Sequence, residues 1–101
     1  MLYRLTVHCH APEDEEAAMA RLRDALAEEG VDRYELHAHE YEASGVRALH
    51  LEFSIDAMSS WDAREVKGLD LVTTLLQRAE IPFSRQAVLT SAVREGDAAT
   101  Q

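Results

Sequence analysis

Hydrophobic periodicity divides the chain into six segments, and their order constrains the fold more than any other feature of the sequence. Residues 2–10 alternate between apolar and polar side chains, which is typical of a strand with one buried face. The same period of two recurs over residues 34–42 and 46–55, and residues 83–93 are predicted to form the last strand. Two segments with helical spacing lie between these strands, so the sequence predicts the order β-α-β-β-α-β.

The first predicted helix follows Pro12, a residue suited to the first helical position. The acidic run at residues 13–16 complements the positive end of the helix dipole, and Gly30 supplies the C-terminal stop. Apolar residues recur between them at helical spacing: Ala18, Leu22, Ala25 and Leu26. The acidic run therefore has a structural explanation that requires no ligand.

The second predicted helix begins at a serine cap, either Ser59 or Ser60, and continues through Ala79. Gly68 is expected to kink or split this helix near its middle, because glycine is a poor helix former. Trp61 is expected to anchor the helix by packing. The predicted apolar stripe consists of Trp61, Leu69, Val72 and Leu76, widened by Val66, Leu71 and Leu75.

This order of elements is that of the ferredoxin-like α+β sandwich, a βαββαβ arrangement with a four-stranded antiparallel sheet and two helices on one face. Right-handed crossovers give the expected strand order 4-1-3-2. We expect a single domain at residues 1–93 and a flexible C-terminal tail at residues 94–101. The predicted core comprises Leu5, Val7, Leu22, Leu26, Leu36, Leu49, Leu51, Phe53, Leu69, Val72 and Leu76.

Charge and cysteine content limit the classes of function. A formal net charge of −9 argues against direct nucleic-acid binding, which requires a basic surface, and is compatible with a basic protein partner. Cys9 is the only cysteine and alternates toward the apolar face, so we expect it in the core rather than in a disulfide. The chain opens without a signal-peptide pattern and has no apolar run long enough for a membrane span, which predicts a cytoplasmic protein.

All five histidines fall on predicted strands, and alternation places them on the face opposite the apolar one. The turn at residues 43–45 allows two registers, with either His37 or His39 opposite His50. This face is less charged than a fully solvated face usually is, which favours its partial burial against a second copy of the chain. The predicted ligand-binding residues are His8, His10, His37, His39, Tyr41, His50 and Glu52.

A metal centre is one interpretation of these histidines. Imidazoles on neighbouring strands can supply the ligands that Zn²⁺ or Ni²⁺ requires. The candidate metal ligands are His8, His37, His39 and His50. Nearby glutamates are either partners that orient the imidazoles through hydrogen bonds or ordinary solvated charges: Glu35, Glu40 and Glu52.

Three functions are compatible with this sequence. The first is a non-enzymatic homo-oligomer, with a dimer expected, that binds a small ligand or metal ion on the open sheet face. The second is an enzyme that resembles dimeric α+β-barrel proteins and uses a sheet-face histidine as acid or base. The third is an acidic interaction or inhibitor protein that mimics nucleic acid through Glu13, Asp14, Glu15, Glu16, Glu28 and Glu29. A generic polar surface is the alternative to all three, since the sequence has no P-loop, dinucleotide-binding or hydrolase motif.

Overall fold

The computed structural model describes residues 1–82 and 89–95, and its elements follow the predicted order. The elements are β1 Leu2–His10, α1 Glu15–Glu28, β2 Tyr34–Tyr41, β3 Val46–Asp56, a π-helical turn Asp62–Val66, α2 Lys67–Arg78 and β4 Leu89–Arg94. The strands form one antiparallel sheet in the order β2-β3-β1-β4, which confirms the ferredoxin-like α+β fold and its strand order. Residues 83–88 of the predicted last strand and residues 96–101 of the predicted tail lie outside the described residues.

Strand β1 is hydrogen-bonded on both sides, by β3 and by β4. Arg94, where the predicted tail begins, pairs with Tyr3 at the end of β4. One residue further on, the backbone N–H of Glu95 donates to the carbonyl of Leu2 over 2.9 Å. The side chains of β1 therefore lie in the interior of the sheet, where both neighbouring strands fix their positions.

The core lies between the two helices and the inward face of the sheet. Among the predicted core residues, Leu36 is only partly buried because β2 is an edge strand, and Leu69 is also partly exposed. Cys9 is buried as predicted, and burial raises the pKa of its thiol to about 11. The largest fully buried side chains are Leu5, Val7, Leu22, Leu26, Leu49, Phe53, Val72, Leu75 and Leu76.

The π-helical turn before α2 corrects the predicted role of Trp61. A π-helical turn carries one more residue than an α-helical turn, so the residues before it are rotated by about 100° relative to α2. Ala63 consequently faces the core with 0% exposure, whereas Trp61 is 61% and Val66 45% exposed. The predicted packing role of Trp61 is therefore wrong, because a strict α-helical period does not hold across this turn.

A side-chain cap begins the second helical segment, whereas a contact with the sheet fixes the start of the first. Of the two predicted serines, Ser59 caps the second helical segment, because the backbone N–H of Asp62 donates to Ser59 Oγ over 3.1 Å. The first helix begins at Glu15 rather than at Pro12. Glu15 accepts hydrogen bonds from Arg47 of β3 over 3.1 Å, which ties the start of α1 to the sheet.

The turn between β2 and β3 determines which histidines are neighbours. The backbone N–H groups of Ser44 and Gly45 donate to the Tyr41 carbonyl over 3.2 and 2.8 Å. Gly45 has a φ of +71°, which glycine adopts without strain. Of the two predicted registers, the structure has the one that places His37 opposite His50.

Candidate functional site

Three histidines form a row across the sheet face opposite the helices, which we call the outer face. His50 of β3 lies directly opposite His37 of β2 on one side and His8 of β1 on the other. The His37 ring stacks on the His50 ring at a centroid distance of 4.7 Å and an interplanar angle of 19°. The His8 ring meets His50 edge-on, also at 4.7 Å. The strand register alone therefore brings the three imidazoles into contact.

Two histidines of the row belong to a continuous series of hydrogen-bonded side chains, which we call the outer-face chain: Tyr41, His8, His50 and Glu52. His8 Nδ1 lies 3.2 Å from the Tyr41 hydroxyl. His8 Nε2 lies 2.9 Å from His50 Nδ1, and His50 Nε2 lies 3.0 Å from Glu52 Oε1. The chain crosses three strands and uses both nitrogens of both rings.

Arg4 holds the carboxylate end of the outer-face chain. Its Nε and Nη2 donate to Glu52 Oε2 over 2.9 and 2.6 Å, which leaves the other carboxylate oxygen to His50. Glu35 lies farther away, with 3.8 Å between its carboxylate and Arg4 Nη2. Hydrogen bonds from Arg4, followed by those from His50, lower the pKa of Glu52, so this group is an anion at neutral pH.

An ionised Glu52 sets the tautomer of each histidine in the chain. A carboxylate only accepts hydrogen bonds, so the proton between His50 and Glu52 lies on His50 Nε2. In the state in which His50 is neutral, its Nδ1 accepts from His8 Nε2–H, and His8 accepts at Nδ1 from the Tyr41 hydroxyl. Burial, followed by the repulsion that His50 exerts when its ring is charged, lowers the pKa of His8. His8 is therefore held neutral.

A pocket of about 280 Å³ opens beside the outer-face chain. Its floor includes Ala48, which lies opposite His39 on one side and His10 on the other, and whose small side chain leaves space between larger neighbours. His39 contacts the edge of the Tyr41 ring at a centroid distance of 4.9 Å. The pocket is lined by His8, His37, His39, Tyr41, Ala48, Leu49 and His50.

Most of the predicted ligand-binding residues meet at this pocket. Glu52 does not line it but joins it through His50. His10 shares the outer face but is exposed, and in the described part of the chain it neither lines this pocket nor makes a side-chain hydrogen bond. Of the other two glutamates considered, Glu35 lies near Arg4 and Glu40 near Arg47.

The four predicted metal ligands do not have the arrangement that the ligands of a metal ion have. Among the described residues, no group of three or more His, Cys, Asp or Glu side chains is placed to hold a metal ion. His8 and His50 direct nitrogens at each other over 2.9 Å, whereas metal ligands direct their lone pairs at a common point. Zn²⁺ or Ni²⁺ binding would require these rings to give up their present hydrogen bonds.

Sequence reasoning did not identify Arg4 as part of the site. Arg4 lies opposite Ser54 in the β1–β3 register, so its contact with Glu52 is diagonal across the two strands. Such diagonal neighbours are within reach of long side chains, and the shared outer face of Arg4 and Glu52 was the available signal. The contact itself depends on the register, which alternation does not define.

Comparison with known proteins supplies no functional assignment. No protein family and no curated protein match this sequence. Within the described residues, none of the helices has the length and apolar character needed to cross a membrane.

Proposed function

We propose that this protein is a small homo-oligomeric module that binds a small, uncharged ring compound in the pocket on its outer face. The observation that carries the proposal is the pocket itself, because its side chains are positioned by ring contacts and by the outer-face chain. A generic polar surface does not require such mutual positioning. The proposal includes the cytoplasmic location that the sequence predicts.

The composition of the pocket favours a flat ligand with a polar substituent. Its walls combine imidazole and phenol rings with the backbone and methyl group of small residues, so a planar molecule can stack while its substituent bonds to Tyr41. A volume of about 280 Å³ suits a compound with one ring. The net charge of −9 disfavours a ligand that is already anionic in solution.

A second copy of the chain is the proposed cover for the outer face. In the described part of the chain neither helix lies on this face, and it exposes Leu2 and Val93 near one end and Tyr41 and Val46 near the other. Burial of these apolar groups would stabilise a dimer by removing them from water. Among the charges between them, Arg4 and Glu52 already neutralise each other and so oppose such packing less.

The test is a set of amide NMR titrations with phenol, benzoate, benzamide and 4-nitrophenol. At least one of phenol, benzamide and 4-nitrophenol is expected to produce saturable shifts at residues 37–41 and 48–50, whereas benzoate, an anion at neutral pH, is the charged comparison. An Ala48→Val variant, which fills the pocket floor, is expected to weaken that binding at least about tenfold. His10→Ala is the matched control, because His10 is on the same face and outside the pocket. Absence of saturable binding of phenol, benzamide and 4-nitrophenol overturns the proposal.

Metal binding is an alternative occupant of the same face. Thermal melts with and without Zn²⁺ or Ni²⁺ distinguish it, because a metal that binds the folded state raises the melting temperature by mass action. A rise that is lost in a His37→Ala and His50→Ala double variant would assign the face to a metal instead of an organic ligand.

The structure offers less support for nucleic-acid mimicry. Mimicry requires unpaired acidic groups in a regular row, but four of the six candidate acids are paired with arginines. The pairs are Asp14 with Arg21, Glu15 with Arg47, and Glu28 and Glu29 with Arg78.

A further inference from the structure

The outer-face chain forms an unbroken hydrogen-bonded path from the pocket to an arginine-held carboxylate. Tyr41 and His8 line the pocket, and Glu52 ends the path at Arg4. We infer that the outer-face chain is a proton relay that lets the pocket deprotonate a bound weak acid of the phenol or enol class. This inference rests on the proposed ligand site and names its ligand class and chemistry.

When both of its histidines are neutral, the outer-face chain presents a hydrogen-bond acceptor to the pocket. Because Tyr41 donates its only hydroxyl proton to His8 Nδ1, the lone pairs of the Tyr41 oxygen remain free to accept. A ligand that carries an O–H group satisfies that oxygen, whereas a ligand that offers only acceptors does not. The fixed tautomers thus select a donor, and phenols and enols with electron-withdrawing substituents are O–H donors whose acidity approaches that of imidazolium.

Deprotonation moves three protons by one hydrogen bond each. The ligand O–H proton passes to the Tyr41 oxygen, the original Tyr41 proton passes to His8 Nδ1, and the His8 Nε2 proton passes to His50 Nδ1. The ligand becomes an anion, Tyr41 and His8 remain neutral, and His50 becomes an imidazolium. In each hydrogen bond of the outer-face chain the donor and acceptor have then exchanged roles, except in the bond from His50 Nε2 to Glu52. Tyr41 now donates to the ligand anion.

The two ends of the chain stabilise the charges that this transfer creates. The imidazolium of His50 lies 3.0 Å from the Glu52 carboxylate, so the positive charge is produced beside an existing negative one. The charge does not rest on His8, which burial and His50 disfavour as a cation. At the other end, the Tyr41 hydroxyl gives the ligand oxygen a charge-assisted hydrogen bond.

The surrounding charges favour an acid that arrives neutral. The titratable and charged groups of the described outer face and its ends are Arg4, His8 and His10 of β1 with the Met1 amino group before them, Glu35, His37, His39 and Tyr41 of β2, His50, Glu52 and Asp56 of β3, and Arg94 and Glu95 at the end of β4. Carboxylates among them repel an anion that approaches from solvent. A neutral acid that leaves its proton on His50 enters without this repulsion, and the net charge of the complex is unchanged.

The experiment uses 4-nitrophenol, whose neutral and anionic forms have different absorption spectra, with the full-length protein. At a pH where the free probe is mostly neutral, the wild-type protein is expected to bind it as the phenolate. Calorimetry in two buffers with different ionisation enthalpies is expected to give equal binding heats, since the proton stays on the protein. Tyr41→Phe and Glu52→Gln are expected to bind the probe in its neutral form, whereas His10→Ala retains the phenolate spectrum.

The outcomes separate this inference from the proposed function. A wild-type complex with neutral 4-nitrophenol, a phenolate spectrum retained in Tyr41→Phe, or proton release to the buffer overturns the relay and leaves the ligand site standing. Binding of benzamide or benzoate but not of 4-nitrophenol overturns the assignment of a weak acid. Failure of every probe to bind overturns the proposed function together with the relay.

Discussion

Glu52 determines the hydrogen-bond direction of its neighbours because both of its carboxylate oxygens have partners. Arg4 occupies one oxygen and His50 the other, and the Glu52 side chain is only 21% exposed. A fixed anion next to an imidazole selects one tautomer, and that selection passes through each following hydrogen bond. A single carboxylate on β3 can therefore determine the hydrogen-bond direction of a tyrosine hydroxyl on β2.

The lowered pKa of His8 makes stability depend on pH. The folded state binds fewer protons than the unfolded state, in which the pKa is near its ordinary value of 6.5. The stabilisation is therefore complete above about pH 6.5 and is lost as the pH falls through the lower folded-state pKa. We expect the free energy of unfolding, measured with urea, to fall less between about pH 7.5 and 5.5 in His8→Gln than in the wild-type protein.

His10→Gln is the control for that measurement, because His10 lies on the same strand and face but is exposed. It should leave the pH dependence of the wild-type protein unchanged. Glu52 does not interfere, since its folded-state pKa lies below its ordinary value of 4.5 and its contribution is lost only at lower pH. Equal pH dependence in His8→Gln and wild-type protein would show that His8 does not have a lowered pKa.

The π-helical turn depends on the absence of a side chain at Gly68. A Cβ atom at this position would lie 1.7 Å from the Ala63 carbonyl oxygen, which is far inside van der Waals contact. The turn therefore permits a close approach of two backbone segments, and it rotates Ala63 into the core in place of Trp61. An α-helical period predicted the wrong residue here because the extra residue leaves no signal in hydrophobic spacing.

Gly68→Ala is expected to destabilise the protein although alanine is the better helix former. The clash involves backbone rather than a movable side chain, so we expect a loss of about 2–3 kcal/mol, the upper part of the range for overpacking. Urea denaturation measures it, with Gln77→Ala as a control at an exposed position of α2. A Gly68→Ala variant as stable as wild-type would show that the turn reverts to an α-helix without cost.

The proposed dimer predicts the mass of the protein in solution. Light scattering coupled to size exclusion is expected to give twice the chain mass of 11.3 kDa at tens of micromolar protein. A Val93→Lys and Leu2→Lys double variant, which places charges on the outer face, is expected to be monomeric. A monomeric wild-type protein would remove the second copy from the proposal without affecting the pocket in a single chain.

The sequence was sufficient for the architecture and for the identity of the outer-face residues, because both depend on periods of two and of about 3.6 residues. It left the register of β2 against β3 open, since that choice depends on the conformation of Gly45. It placed Arg4 with Glu52 and His8 with Tyr41 on the same face, but it did not show that either pair is in contact. The Arg4–Glu52 contact requires the β1–β3 register, and the His8–Tyr41 contact requires the β2–β3 register as well.

The protonation of the histidine rings in the ligand-free protein tests the central claim, that the outer face is an ordered hydrogen-bonded site. Ring ¹⁵N shifts near pH 7.5 report which nitrogen carries the proton. We predict that His8 and His50 each carry it on Nε2 alone, and that Glu52→Gln removes this preference at His50, while His10 shows the tautomer mixture of a solvated imidazole. Tautomer mixtures at His8 and His50 equal to that of His10 would contradict the account.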